Sequence, residues 1–113
     1  MENCLFCKIA AGDIPSKKAY EDEKILCFYD IAPQAPIHLL VIPKEHIASA
    51  NEVTEENAAI VSHIFATLPK IAAQVGLEGG YSIVSNCGPD ACQSVQHLHF
   101  HILGGKKLTE NMA

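Results

Sequence analysis

Three histidines take every second position in the stretch Gln93-Ser94-Val95-Gln96-His97-Leu98-His99-Phe100-His101-Ile102-Leu103. Leu98, Phe100 and Ile102 fill the places between and after them. A period of two is that of a strand with one polar and one buried face, so the imidazoles of His97, His99 and His101 should line up about 7 Å apart. Half of the chain's 6 histidines sit in this one alternation. A metal could use part of it, because Zn–N bonds of about 2 Å let neighbours at i and i+2 lean onto one ion. The outer pair, roughly 13 Å apart on a straight strand, could not both join them. At least one imidazole is therefore free for other chemistry. Near neutral pH that chemistry is proton transfer or nucleophilic attack.

Other residues able to do chemistry are scattered along the chain. Cys4-Leu5-Phe6-Cys7 is a C-x-x-C pair. It reads as half of a zinc site or as two small buried hydrophobes. A thioredoxin-like redox pair should follow a strand inside a βαβ unit, and only three residues precede Cys4. His38 stands near the start of an apolar run, where a satisfied core histidine is the plain alternative. His46 follows a Pro-Lys turn. His63 falls off an apolar stripe and reads as a surface residue. Gln93 and Ser94, where a loop becomes strand, could form an anion nest with nearby N–H groups.

The elements that must position these groups follow from periodicity and punctuation. Lys18 to Glu21 and Lys24 to Tyr29 read as short strands around an acidic turn. Two prolines keep residues 30–36 irregular. Ile37 to Pro43 is a buried strand. A helix is expected from Thr54 as N-cap, carrying Val61, Ile64, Phe65, Leu68, Ile71, Ala72 and Val75 on its apolar stripe and stopping at Gly76. Pro69 should interrupt and kink it. Tyr81 to Asn86 is a further strand, and residues 106–113 read as a loose polar tail. No repeat, linker or low-complexity segment divides the chain, so 1–113 reads as a single domain.

The 113 residues suffice for one core, and a 49% hydrophobic content predicts a globular chain. No apolar run looks long enough to span a bilayer, and no signal segment opens the sequence, so the expectation is cytoplasmic with no membrane partner. A net charge of −5 argues against duplex nucleic acid, which needs basic surface. The 5 cysteines, an odd number, favour reduced thiols over a disulfide framework.

Taken together, the motifs resemble the histidine triad (HIT) family, whose signature is H-x-H-x-H followed by two apolar residues. Phe28-Tyr29-Asp30-Ile31, Pro33-Gln34-Ala35-Pro36 and His38-Leu39-Leu40-Val41-Ile42-Pro43-Lys44 with His46 extend the likeness over almost the whole chain. It is closest in character to the small HINT-like, nucleotide-binding branch. That resemblance implies an α+β fold: a five-stranded antiparallel sheet, one long helix, a short N-terminal helix, and pairing as a homodimer. It implies binding of a purine nucleoside monophosphate and hydrolysis of its phosphoramidate or a related bond at the α-phosphate.

By position, His99 would be the nucleophile and form a nucleotidyl-histidine. His101, Ser94, Gln93 and the N–H groups near Val95 would face the phosphoryl oxygens, His38 would hold the imidazoles in register, and Asn86 would meet the phosphate and leaving group. Leu5, Phe6, Ile9, Ile14, Phe28 and Ile31 would sandwich the base, and Asp30 would accept from ribose hydroxyls. Some bacterial members resemble this chain in C-x-x-C, the histidine after the Pro-Lys turn and the first triad histidine. That implies one structural zinc on Cys4, Cys7, His46 and His97. Three departures stand out: Cys92 replaces a usual glycine, Gln96 replaces a usual aromatic, and the tail after Gly105 is short and polar. A nucleotidyl transferase, which carries glutamine at the third triad position, is disfavoured by His101. A nucleotide-binding partner protein with incidental hydrolysis is the other alternative.

Overall fold

A computed structural model describes residues 3–112. Met1, Glu2 and Ala113, the ends of the expected domain and tail, lie outside the described residues. A short helix α1 (Leu5–Ala10) precedes strands β1 (Lys18–Glu21), β2 (Ile25–Tyr29) and β3 (Ile37–Pro43). The long helix α2 (Ala58–Val75) follows, then β4 (Tyr81–Val84) and β5 (Phe100–Gly104). The strands form one antiparallel sheet in the order β1-β2-β3-β5-β4. This is the expected α+β arrangement of five strands, one long helix and a short N-terminal helix.

Both faces of the sheet are covered, and strand alternation sorts the side chains between them. Leu39 and Val41 of β3 join Leu98, Phe100 and Ile102 in a core against Ile64, Leu68 and Ile71 of α2. Leu40 and Ile42 turn the other way and pack with Leu26 and Phe28 against Cys4, Phe6 and Ile9 of the α1 segment. The triad histidines belong to this second, thinner layer.

The structure moves several expected boundaries. The last strand begins at Phe100, so His97 and His99 lie on the approach to it, outside the ladder. The ladder from Val41–Phe100 stops where β3 reaches Pro43, which has no N–H to give. The Pro43 carbonyl is taken by the His97 side chain, and the Leu98 N–H donates to the Ile47 carbonyl at 2.6 Å.

Helix α2 starts at Ala58 rather than just after Thr54. Thr54 and Asn57 exchange side-chain bonds with each other's N–H groups and close a turn ahead of the helix. The helix runs on through Pro69 without the expected interruption and ends at Gly76, whose φ of 87° is the left-handed stop. By length and mean hydropathy (1.3) α2 could cross a bilayer, contrary to expectation, but Ile64, Leu68, Ile71 and Ala72 are buried in the core shared with the sheet. His63 is not a bare surface residue either: its Nε2 donates to Asp22 Oδ2 at 2.7 Å and ties α2 to the β1–β2 turn. Burial works against the Asp22 charge. Bonds from His63, the Lys24 and Ile25 N–H groups and Tyr20 outweigh it and hold the carboxyl well below its usual range.

Candidate functional site

The α1 segment lies over the histidines and builds two sites side by side. Cys4 caps α1, its Sγ accepting from the Cys7 N–H at 3.3 Å, so both sulfurs face one point. His97 brings Nδ1 to 3.2 Å from Cys4 Sγ and 3.5 Å from Cys7 Sγ, and His46 Nδ1 lies 3.3 Å from Cys7 Sγ. All four donor atoms fall within 4.8 Å of one another.

Two sulfurs and two imidazole nitrogens around a tetrahedral zinc would be separated by about 3.5 Å along each S–N edge, given the usual bond lengths. The donor set therefore fits such an ion. The fully buried His97 ring is held in the required tautomer, because Nε2–H donates to the Pro43 carbonyl at 2.8 Å and leaves Nδ1 bare toward the sulfurs. Burial and the neighbouring Cys4 sulfur raise the Cys7 thiol above its ordinary value, so a thiolate at Cys7 calls for a cation beside it.

The second site is a cavity of about 570 Å³ on the other side of Phe6. Phe6 stands edge-on between the sites, with ring centroids 6.0 Å from His97 and 5.1 Å from His99. The cavity is lined by Leu5, Phe6, Ile9, Ile14, Phe28, Asp30, Ile31, Ser94, His99 and His101, which gathers ten residues singled out from the sequence. Ile31 is fully exposed at its mouth.

Hydrogen bonds assign the ring nitrogens in this cavity. His99 Nδ1–H donates to the His97 carbonyl at 2.7 Å, which leaves Nε2 with a free lone pair. The Gln34 N–H donates to His38 Nδ1 at 3.0 Å, so neutral His38 carries its proton on Nε2. That Nε2–H donates to His101 Nδ1 at 2.9 Å, and His101 must then carry its own proton on Nε2. The two cavity imidazoles thus end in opposite states: a bare nitrogen on His99 and an N–H on His101.

Burial pushes His38 below the ordinary imidazole value, with Asp30 offsetting part of the effect. Burial, then the neighbouring His99 and His38 rings, do the same to His101. Asp30, His38 and His101 also bring three donor atoms close enough for a metal. The Gln34 N–H on Nδ1 argues against one, since a His38 bonded this way has no second lone pair to offer.

Some expected residues stand elsewhere. The Gln93 carboxamide is occupied: Oε1 accepts from the Gly88 N–H, and Nε2 donates to the Ala48 and Val95 carbonyls. Gln93 pins the loop instead of facing the cavity. Asn86 does not line the cavity, and Val95 lines a neighbouring cleft of about 670 Å³ with Asn3, Cys4, Leu5, His46, Ser94 and Gln96. Ser94 and Leu5 border both spaces. Cys92 stands at φ 59°, ψ 42°, which explains why a glycine is usual there. Sequence reasoning missed Pro15, Ser16, Lys17, Tyr29 and Leu40 of the cavity wall. It also missed the orienting groups of Gln34 and Pro43, which are backbone atoms and leave no residue-type signal.

Comparison with known proteins agrees with this geometry. Residues 3–112 match the family described as scavenger mRNA decapping enzyme C-term binding. The chain is 50% identical over 107 residues to an uncharacterized HIT-like protein of Synechococcus elongatus, covering 95% of this chain and 94% of that one. It is 44% identical over 106 residues to a 14 kDa zinc-binding protein of Zea mays, covering 92% of this chain and 83% of the relative. The crystal structure of a HIT family hydrolase from Legionella pneumophila Philadelphia 1 superposes with a TM-score of 0.91 at 48% identity, covering 96% of this chain and 97% of that one.

Proposed function

This chain belongs to the histidine triad family, and on that premise we propose that it hydrolyses a phosphoramidate or related bond at the α-phosphate of a purine nucleoside monophosphate derivative. The observation that carries the reading is the pairing of a bare His99 Nε2 with a proton-bearing His101 Nε2 at one end of an apolar cavity. Leu5, Phe6, Ile9, Ile14, Phe28 and Ile31 take the base, and Asp30 takes the ribose. His99 Nε2 attacks phosphorus as the leaving group departs on the opposite side, which forms a nucleotidyl-histidine. Water then attacks the adduct and frees the monophosphate. Splitting one displacement into two is what a covalent nucleophile contributes. His101 Nε2–H and Ser94 supply donors for charge growing on the phosphoryl oxygens.

Cys4, Cys7, His46 and His97 hold a zinc ion in this reading, supported by their geometry and by the zinc-binding name of the maize relative. A closed set of four protein ligands supplies positioning and leaves no open place for water. His97 so held presents His99 two residues on. The protein pairs as a homodimer along β4, an edge strand with Ile83 and Val84 exposed. Pairing satisfies that edge and covers its apolar side chains. Sedimentation velocity giving only a monomer at micromolar concentration would remove the pairing.

The test of the chemistry is intact mass spectrometry of a rapidly quenched mixture with adenosine 5′-phosphoramidate. A transient adduct of one adenylyl group, mapped to His99, is expected. Turnover with no adduct at any time, or an adduct on another residue, would defeat the mechanism.

A further inference from the structure

One residue of the cavity wall carries a polar atom that nothing satisfies. Ser16 Oγ is buried, has no hydrogen-bond partner, and is alone in this among the described residues. Ser16 lines the cavity between Pro15 and Lys17, and Leu5, Phe6, Ile9, Phe28 and Leu40 are among the apolar residues that share the lining. A hydroxyl held from water without a partner is destabilising by about 1–3 kcal/mol, so such groups are nearly always paired.

Sheet register shows what the hydroxyl is placed to meet. His101 pairs with Leu40, Leu40 with Phe28 and Phe28 with Lys18, so the cavity residues His101, Leu40 and Phe28 run across the sheet toward β1, just after Ser16 and Lys17. Three strand spacings separate the two ends, about 14 Å, which is the order of an extended nucleoside monophosphate. A nucleotide with its phosphate at His99 and His101 would extend its base along this line toward Ser16.

We propose that the Ser16 hydroxyl is a specificity-determining contact that recognises the nitrogen-bearing edge of the purine six-membered ring. This rests on the nucleotide reading given above. A rotation about the serine Cα–Cβ bond turns the hydroxyl from its occluded position toward the base. As donor or acceptor it accommodates either an amino or an oxo purine. It discriminates against a ring with a bare hydrocarbon edge, because that ring leaves the hydroxyl buried and unpaired.

The test uses the full chain as purified. Calorimetry compares adenosine 5′-monophosphate with benzimidazole riboside 5′-monophosphate, whose six-membered ring carries no nitrogen and no exocyclic group. The native protein should prefer the adenine nucleotide about tenfold, in line with one hydrogen bond to an otherwise unpaired group. Ser16→Ala should bring the ratio near one by weakening the adenine nucleotide, and should raise the melting temperature of the ligand-free protein. An unchanged ratio in Ser16→Ala, with both nucleotides still bound, overturns the contact while leaving the nucleotide reading in place. Binding of neither nucleotide by the native protein overturns both.

Discussion

His97 and His101 sit four residues apart in the same alternation, yet their surroundings give them opposite work. His97 is fully buried, its Nε2–H spent on the Pro43 carbonyl and its Nδ1 turned to two sulfurs. His101 is half-buried, its Nδ1 occupied by His38 and its Nε2–H left for the cavity. One ring offers a lone pair to the sulfurs and the other an N–H to the cavity. His99 between them shares the apolar shelter of the first and the cavity of the second. An imidazole's role is set by what its other nitrogen is bonded to.

The sharpest break of that comparison is His99→Ala. It should lower turnover of adenosine 5′-phosphoramidate by several orders of magnitude, while calorimetry still detects adenosine monophosphate, because binding draws on the base and phosphate contacts. Near-normal turnover in a clean preparation would mean that another group attacks.

Next in size is the metal side. The protein should carry about one zinc per chain by elemental analysis, and Cys7→Ser should lose it and melt on the order of 10 °C lower. A metal-free protein of unchanged melting temperature would return C-x-x-C to the role of two buried hydrophobes.

The donor side can be broken through His38. His38→Ala frees the tautomer of His101, so kcat should fall about a hundredfold with little change in nucleotide affinity. The pH dependence follows from the lowered values of His38 and His101. Below about pH 6.5 the unfolded chain takes up protons at these imidazoles before the folded one does. Stability is then full above that pH and declines as pH drops toward the folded values, and kcat should decline over the same window. Thermal melts and rates between pH 4.5 and 8 check both. A rate that climbs on acidification would show that His101 acts as an imidazolium.

Asp30→Ala should weaken adenosine monophosphate by about 1.5–3 kcal/mol, the scale of charge-assisted ribose bonds. Binding of a phosphate analogue without ribose should hardly move in the same calorimeter. Equal losses for both ligands would place Asp30 in the support of His38, from which it lies 3.5 Å away.

The smallest effect is on the loop that leads into the histidines. Cys92→Gly should stabilise the protein by about 1 kcal/mol in a denaturant melt, since φ 59° disfavours any residue with a Cβ. A destabilised variant would show that the Cys92 side chain makes a contact that outweighs the strain.

The alternation around His99, the C-x-x-C pair and the run Ile37 to Pro43 carry side-chain identities at regular spacing, so the sheet, the helix and the two clusters were legible. The ring tautomers were not, because the carbonyls of Pro43 and His97 and the N–H of Gln34 are groups that nearly every residue has. Nor could Gln93 be read correctly, since an amide that closes a loop looks the same in sequence as one that meets a phosphate. The chain by itself determined which imidazoles and thiols are present and which face of the strand each takes. Only the tertiary structure decided which nitrogen each imidazole exposes, because that depends on backbone partners brought from up to 54 residues away.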